Sequence, residues 1–251
     1  MNKRFLIISA LLSVCALAQV TKAEREVVAQ EALSLWLQFD GGCNADLATG
    51  RDTPTEIRGK ASYAEGLSGQ ALVSGKEGAC GIYECKGNLD FDHPGTITVW
   101  FHSQGDWHAN PGPQVVLWGL GNDKGYIGMR ISSIPKDVCL CKRKLELCIY
   151  HSTKRRNATY TLQPPALTRL CRGWHMVSFA WAGDQLFLSF DGAPYKANQL
   201  TTPLSNAEFA HCTRFAVGYQ ANAFLVDDFR IYTKKLTDDE LLKLYETGLA
   251  K

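Results

Sequence analysis

The segment that decides the fold lies near the end of the chain, where residues 226–248 read Val-Asp-Asp-Phe-Arg-Ile-Tyr-Thr-Lys-Lys-Leu-Thr-Asp-Asp-Glu-Leu-Leu-Lys-Leu-Tyr-Glu-Thr-Gly. In its first seven residues, Phe229 and Ile231 alternate with polar neighbours, and a period of two predicts a strand with one face against a core. Asp227 falls on the apolar face of this pattern. An isolated buried charge costs too much free energy to persist, so this carboxylate must be paired, hydrogen-bonded or bound to a metal. Asp227 is therefore the first candidate site residue.

A short, well-bounded helix is predicted directly after this strand. Thr237 stands three residues before Glu240, which is the spacing of a capping box, and Leu236 and Leu241 are placed as its hydrophobic staple. Gly248 is placed as the residue that ends the helix. The pattern indicates one helix appended to a chain of strands.

Short apolar or alternating segments recur through the rest of the chain, separated by turns of Gly, Pro, Asn and Asp. The predicted strands are residues 33–39, 70–73, 96–102, 115–120, 126–131, 145–150, 159–162, 175–181, 185–190, 215–219 and 226–232. Because no helical patterns lie between them, a parallel sheet is disfavoured, and we predict an all-β, antiparallel jelly-roll sandwich. No linker or internal repeat interrupts the series, so residues 24–251 are predicted to form one domain.

The first 23 residues have the features of a secretory signal peptide. Lys3 and Arg4 precede a mostly apolar run over residues 5–18, and small residues suited to cleavage follow. The run is shorter than the roughly 20 residues that span a bilayer, so we expect a secreted or periplasmic protein without a transmembrane segment. A lipid anchor at Cys15 is the less favoured alternative, because Val14 is too large for the position before a lipidated cysteine.

The charge balance argues against two classes of partner. Removing the leader takes away Lys3, Arg4 and Lys22, which reduces 27 basic side chains to 24, against 25 acidic ones. A nearly neutral chain has no overall field to attract nucleic acid or an anionic membrane, so we expect neither as a partner.

The cysteines predict disulfide bonds. Eight remain once the leader is removed, namely Cys43, Cys80, Cys85, Cys139, Cys141, Cys148, Cys171 and Cys212. An even number in an exported chain is typical of disulfides, whose connectivity the sequence leaves open. Cys80 and Cys85 flank Gly-Ile-Tyr-Glu, which as a loop would allow a local bridge. A zinc cluster at Cys139, Cys141 and Cys148 is less favoured, because the spacing lacks the paired two-residue gaps of zinc ribbons.

Four groups of residues follow one another in an order that resembles a known family. They are 35–41 (Leu-Trp-Leu-Gln-Phe-Asp-Gly), 69–72 before 95–101, 173–177 leading to 186–192, and 226–232 with its helix. In order and spacing they resemble the laminin-G-like, concanavalin-A-like lectin/glucanase family. The resemblance implies a jelly roll of two curved antiparallel sheets, as the strand pattern also predicts.

The same resemblance bears on catalysis. Some relatives are glycosidases, which need two carboxylates flanking the bond that they cleave. The Glu-x-Asp-x-x-Glu pattern of the best-known glucanase branch is absent from this sequence, so we expect a protein without catalytic residues. A divergent glycosidase whose carboxylates come from separate strands stays an alternative.

The resemblance also implies a structural calcium ion. In related jelly rolls a carboxylate on the closing strand holds this ion, which matches Asp227, and an acidic residue near the opening strand can assist, which matches Asp40. Calcium takes six to eight oxygen ligands, so backbone carbonyls and water would have to complete the shell. The alternative is that Asp227 caps backbone amides or pairs with Arg230 and binds no metal.

For sugar binding, an exposed aromatic face edged by polar groups is needed. Trp107 fits best, since it lies beside His108 in the polar loop 103–111, and Tyr126 and Tyr219 are secondary candidates. The alternative for Trp107 is a loop aromatic folded back onto the edge of the sandwich. The other tryptophans lie in apolar strand contexts and are expected in the core, namely Trp36, Trp100, Trp118, Trp174 and Trp181.

Two basic clusters, 142–144 and 154–156, flank one predicted strand. Together they would suit an anionic glycan, and the alternative is an ordinary solvated hairpin with charges that protect its edge. The sequence therefore predicts an exported, non-catalytic module that binds a glycan or polysaccharide. An extracellular or envelope protein as partner, without sugar specificity, is the alternative.

Overall fold

A computed structural model describes residues 28–76, 78–104, 115–121, 125–133, 143–151, 156–162, 173–219 and 223–250. The strands are β1 (Leu33–Leu37), β2 (Leu47–Ala48), β3 (Glu56–Arg58), β4 (Tyr63–Glu65), β5 (Gln70–Ser74), β6 (Cys80–Glu84), β7 (Gly95–Ser103), β8 (Val115–Gly121), β9 (Gly125–Ser133), β10 (Arg143–His151), β11 (Arg156–Leu162), β12 (Trp174–Ala182), β13 (Gln185–Phe190), β14 (Lys196–Gln199), β15 (Arg214–Tyr219) and β16 (Phe224–Tyr232). A single 3-10 turn (Gln30–Ala32) precedes β1, and helix α1 (Asp238–Leu249) follows β16. None of the helices in these ranges is long and apolar enough to cross a membrane.

The strands form two antiparallel sheets, which confirms the predicted β-sandwich. The nine-stranded sheet runs β14-β13-β12-β7-β16-β1-β2, and β5 pairs with β16 and carries β4. The seven-stranded sheet runs β11-β10-β9-β8-β15-β6-β3. The chain crosses between the two sheets several times, although β8–β11 stay together in the seven-stranded sheet and β12–β14 in the nine-stranded one.

Alternation along the strands divides the apolar residues into two layers. On β12, Val177 and Phe179 belong to the core between the sheets, whereas Met176 belongs to a second cluster. That second cluster lies under α1, where Leu241 and Leu244 are buried. The nine-stranded sheet is thus covered on one face by the seven-stranded sheet and on the other by the helix.

Each predicted strand corresponds to an observed one, but β2, β3, β4, β6 and β14 were not predicted. The most consequential of these is β6, because its residues had been expected to form a loop between two bridged cysteines. Cys80 begins β6 and Cys85 directly follows it. Five residues of extended chain separate their Cα atoms by about 16 Å, and a disulfide needs roughly 7 Å or less. The expected local bridge is therefore incompatible with this structure.

A bulge in β16 changes the face on which Asp227 lies. The register with β7 shifts between Asp227 and Arg230, and Asp228 adopts a φ of 47°. As a result Val226 and Phe229 both point into the inner core although they are three residues apart. The prediction that Asp227 lies on the core face of the strand was wrong, because a strict period of two does not continue through a bulge.

The helix begins as predicted, but its C-cap is Ala250, two residues beyond the expected Gly248. The Thr237 hydroxyl accepts the Glu240 amide, and the Glu240 side chain accepts the Thr237 amide, which completes the capping box. Gly248, however, lies inside the helix and is buried. A Cβ at this position would come within 2.4 Å of the Trp100 ring, so the glycine is needed for close packing and not for a cap.

Candidate functional site

A cavity of about 800 Å³ opens at one end of the sandwich, between the ends of the two sheets. Two connections border it: residues 85–94, which link β6 to β7, and residues 204–213, which precede β15. The ends of β8, β12 and β16 complete its wall through Leu120, Trp181 and Ile231. Clefts of this size with apolar walls and a few polar groups are typical ligand sites. We therefore take this cavity as the candidate site.

The wall of the cavity is aromatic and rigid. The ring of Phe91 lies 5.0 Å from that of Trp181 and 5.4 Å from that of Phe209, and all three side chains are buried. The Trp181 indole N–H donates to the backbone carbonyl of His93 at 2.7 Å. This bond ties the wall to the rim and satisfies the polar atom of the tryptophan.

One asparagine joins the two bordering connections. Asn206 Nδ2 donates to Asp90 Oδ1 at 2.7 Å and to Asp92 Oδ2 at 3.0 Å, and the Asn206 backbone amide donates to Asp92 Oδ1 at 2.9 Å. In return, the Phe91 amide donates to Asn206 Oδ1 at 2.9 Å. The rim is therefore a closed network of hydrogen bonds, which holds the mouth of the cavity in one shape.

The rim carries charges of both signs. Lys86 is exposed, and the exposed His93 ring lies 2.8 Å from Asp90 Oδ2. The hydrogen bond to Asp90 and its negative charge raise the pKa of His93. Slight burial opposes ionisation of Asp90, but the bonds from His93, the Asp92 amide and Asn206 outweigh it and lower its pKa. Asp90 is consequently an ionised acceptor at neutral pH.

Sequence reasoning did not find this cavity. Its two bordering connections are more than a hundred residues apart in the chain, and neither contains a recognisable motif. The one local signal is the turn-rich run Asp90-Phe91-Asp92-His93-Pro94, in which polar residues surround a single large apolar side chain. A buried Phe in such a loop indicates that the loop packs against something, although not what it encloses.

The sugar-binding candidates predicted from sequence do not meet at one place. Trp107 and His108 lie outside the described residues. Tyr219 ends β15, at the opposite end of that strand from the cavity, and is half-buried. Tyr219 therefore does not take part in the cavity.

Tyr126 lies on the outer face of the seven-stranded sheet. Its phenol ring covers two glycines, because a Cβ at Gly128 would come within 2.0 Å of the Tyr126 hydroxyl and one at Gly119 within 3.0 Å. Burial raises the pKa of Tyr126 to about 12. The ring therefore lies against the sheet, at the same end of the sandwich as the cavity but outside it.

Asp227 and Asp40 hold the same hairpin turn between β4 and β5. Asp227 Oδ2 accepts the Leu67 amide at 2.8 Å, and Asp227 Oδ1 accepts the Asp228 amide at 2.7 Å. Asp40 is exposed, and its Oδ1 accepts the Gln70 amide at 2.7 Å. Burial and the neighbouring Asp228 charge raise the pKa of Asp227 to about 8, although backbone amides act against the shift. Both carboxylates thus serve as acceptors for backbone N–H groups.

This geometry is a poor match to a calcium site. Amide hydrogens face the carboxylate oxygens of Asp227, where a cation would have to approach. Within the described ranges no group of three or more His, Cys, Asp or Glu side chains is arranged to hold a metal. Calcium therefore remains a hypothesis that the family resemblance alone carries.

Arg230 pairs with Asp228 and not with Asp227. Its guanidinium makes two bonds to the Asp228 carboxylate, at 2.8 and 3.0 Å, and donates to the Tyr232 hydroxyl at 3.3 Å. The guanidinium also lies 4.6 Å from the centre of the Trp36 ring, whose N–H donates to Asp228. All polar atoms of this buried cluster face one another, so it stabilises the closing strand and does not present a binding surface.

The described cysteines have thiols in several environments. Cys43, Cys80, Cys85 and Cys148 carry free thiols in this structure. Cys43 lies 3.4 Å from the Tyr63 hydroxyl, and Cys85 and Cys212 both line the cavity. Cys139, Cys141 and Cys171 lie outside the described residues. The predicted disulfides therefore stay a prediction.

The basic clusters are mostly outside the described side chains. Among those described, Lys144 Nζ lies 2.6 Å from Glu146 Oε1, and Arg130 Nε lies 2.8 Å from Glu146 Oε2. Glu146 is almost fully buried between these two cations. Lys144 is thus neutralised by a carboxylate on its own strand, which reduces its contribution to any anion-binding patch.

Comparison with known proteins gives a likeness in fold. No known protein family matches the sequence, and no curated protein matches it. Three receptor-binding domains of botulinum neurotoxins share the structure. The C/D mosaic domain has 14% identity, a TM-score of 0.63 and a match over 86% of this chain and 51% of its own. The serotype D domain in complex with N-acetylneuraminic acid has 13% identity, a TM-score of 0.63 and a match over 86% of this chain and 51% of its own. The DC domain in complex with rat synaptotagmin II has 12% identity, a TM-score of 0.62 and a match over 87% of this chain and 52% of its own.

The chain thus spans about half the length of these domains, and at such identities the likeness shows the fold alone. The likeness and the observed sheets together define the protein as a two-sheet antiparallel β-sandwich. Membership of the laminin-G-like family stays a prediction.

Proposed function

We propose that the protein is an exported, non-catalytic binding module whose ligand is a carbohydrate, and that the ligand enters the cavity at the end of the sandwich. The observation that carries this proposal is the aromatic wall of Phe91, Trp181 and Phe209 beneath a rim of polar side chains. A sugar offers an apolar face of C–H groups to aromatic rings and hydroxyl groups to its surroundings, so the two kinds of surface match.

The rim supplies the polar half of this recognition. Asp90 accepts hydrogen bonds, Lys86 donates them, and the Nε2 of His93 is the ring nitrogen not engaged with Asp90. Because these groups include both signs of charge, the cavity by itself favours no anionic sugar. A preference for anionic glycans would have to come from the basic clusters at 142–144 and 154–156.

The carboxylates at the rim argue against hydrolysis. A glycosidase needs one protonated carboxylic acid and a second carboxylate on the other side of the scissile bond. The pKa of Asp90 is lowered, and Asp90 and Asp92 are bonded to the same Asn206 side chain. Two carboxylates held together on one side of the cavity, one of them with a lowered pKa, match neither role.

The fold likeness supports a binding role at a coarser level. One similar structure contains N-acetylneuraminic acid and another contains synaptotagmin II, so domains of this architecture accept sugar and protein ligands. The cavity, which is better suited to a small ligand than to a flat protein surface, favours the sugar.

A pair of matched substitutions tests the site. Ala210 and Ala207 lie in the same connection and are both exposed, but only Ala210 lines the cavity. A glycan array identifies the ligand, and calorimetric titration then compares wild type with Ala210→Trp and Ala207→Trp. We expect Ala210→Trp to weaken binding at least tenfold, because the indole occupies the mouth, while Ala207→Trp binds as wild type does. Equal affinities for the two variants would mean that the sugar binds outside the cavity. The absence of any signal on the glycan array would contradict the proposal that the ligand is a carbohydrate.

A screen against soluble polysaccharides separates the three classes of function. Retention without release of reducing ends supports the binding module, and release supports a divergent glycosidase. If the polysaccharides are neither retained nor cleaved, an extracellular or envelope protein is favoured as the partner.

Export is also part of the proposal, and it rests on the leader. The mature N-terminus, sequenced from protein recovered outside the cytoplasm, should lie near residue 24. An intact Met1 on the recovered protein would contradict it.

A further inference from the structure

Cys85 and Cys212 lie next to each other across a strand pair. Glu84 and Arg214 are partners in the ladder between β6 and β15, and the Cys85 amide donates to the Thr213 carbonyl at 2.9 Å. Cys212 is therefore one residue beyond the cross-strand neighbour of Cys85. An ideal continuation of this ladder would put their Cα atoms about 6.5 Å apart. A disulfide usually joins Cα atoms about 4.4 to 6.8 Å apart. Both residues lie just outside the strands, so the alternation that would turn their side chains to opposite faces does not apply, and both pack against the same core.

The two side chains also face the same space. Both line the cavity, and both pack as half-buried residues against the core between the sheets. Burial raises the pKa of the Cys85 thiol to about 12, and the nearby Cys212 sulfur adds to the shift. The Cys212 thiol lies 3.9 Å from the Gly125 carbonyl.

We propose that Cys85 and Cys212 form a disulfide bond once the chain reaches an oxidising compartment. The oxidant is a small-molecule or protein disulfide. The thiolate of one cysteine attacks a sulfur of that disulfide and releases one thiolate leaving group. The second cysteine thiolate then attacks the mixed disulfide and releases the other. The two cysteines lose two protons and two electrons, and the oxidant becomes two thiols.

The bond would act on the cavity through its two borders. Cys85 begins the connection 85–94, and Cys212 stands at the end of the connection 204–213. A covalent link at this point complements the Asn206 network at the other side of the mouth. The inference is independent of what the cavity binds, because it rests on strand register and on the shared position of the two sulfurs.

Peptide mapping of the full chain, refolded in a glutathione redox buffer and alkylated without reduction, tests the pairing. Trypsin with chymotrypsin cuts after Tyr83, Lys86, Phe209 and Arg214, so Cys85 is separated from Cys80. We expect residues 84–86 to be joined to residues 210–214. Recovery of residues 84–86 in alkylated form, or joined to any other peptide, would overturn the proposal.

Variants give a second, independent measurement. We expect Cys85→Ser, Cys212→Ser and the double variant to lower the melting temperature by the same amount, about 5 to 15 °C, because each removes the same bond. Cys148→Ser is the matched control for the map and should keep the linked peptide. Additive losses in the double variant would show two separate thiols and contradict the bond.

Discussion

The buried pair of Arg230 and Asp228 offers the sharpest test of how the closing strand is held. Replacing Arg230 by Met keeps an unbranched apolar stem of similar length and removes the guanidinium. The Asp228 carboxylate, whose side chain is 5% exposed, then loses both bonds from Arg230 and keeps the Trp36 N–H as a donor. Asp228→Asn is the reciprocal change, and Asn is chosen because it tolerates the φ of 47° at this position.

The magnitude follows from what each change leaves behind. Breaking a buried ion pair by removing one partner costs about 3 to 5 kcal/mol, because an uncompensated charge remains in the interior. Burial disfavours the charge of Arg230, but the charge of Asp228 and the bond to Tyr232 raise its pKa above the ordinary value. Arg230 nevertheless stays ionised in the Asp228→Asn variant, because a guanidinium group keeps its charge at any ordinary pH even without a partner. The double variant leaves no charge, so we expect it to lose at least 2 kcal/mol less than the sum of the single losses.

Urea unfolding followed by tryptophan fluorescence measures these free energies, and the double-mutant cycle isolates the pair. Arg58→Met is the matched control, since Arg58 pairs with Glu56 at the surface, where the two side chains are 51% and 40% exposed. Its loss should be within about 1 kcal/mol. Single losses at Arg230 and Asp228 as small as that of the control, or losses that simply add, would refute the reasoning that the pair is buried and coupled.

Further predictions concern packing, protonation and ligands. Gly248→Ala should cost about 1 to 3 kcal/mol in urea unfolding, since the new methyl meets the Trp100 ring; unchanged stability would contradict that contact. Because the pKa of Asp227 is raised to about 8 in the folded state, its contribution to stability is fully present below about pH 4. That contribution falls as pH rises to about 8, so Asp227→Asn should make the melting temperature depend less on pH over this range. An unchanged dependence would show that other groups cause it. Calorimetric titration of chelator-treated protein with calcium tests the calcium hypothesis. The absence of both binding heat and a shift in melting temperature would end that hypothesis. Trp107→Ala on a glycan array tests the predicted loop, and signals equal to wild type would count against it.

The strands that alternation predicted are the long ones, and the reason is physical. β7 and β12 have nine residues each and are largely buried on both faces, so each gives a long, mostly apolar run that the sequence shows clearly. The strands β2, β3, β4 and β14 have two to four residues each, too few to display a period. β6 was not predicted, because the two cysteines at its ends suggested a bridged loop. The bulge at Asp228 has no signature in the sequence, since aspartate occurs in ordinary strands as well as in left-handed backbone.

The candidate site could be predicted far less well than the fold. Asp227 was identified as a residue whose burial needs an explanation, and the capping of backbone amides was one of the explanations considered. The cavity could not be foreseen, because Phe91 and Phe209 come from two distant connections and Trp181 from β12, and the three meet only when the sheets have packed. A single charged residue in an apolar pattern indicates a buried charge, whereas a cavity depends on how distant segments of the chain pack together.

The position of β16 in its sheet has a consequence for how the protein is made. This strand lies in the middle of the nine-stranded sheet, with β7 on one side and both β1 and β5 on the other, and it pairs Tyr232 with Leu33. Until residues 224–232 have left the ribosome, β1 and β7 keep open edges, which are sites of aggregation. Nascent chains that stop before residue 224 should therefore be degraded by protease throughout, however much of the chain has already been synthesised.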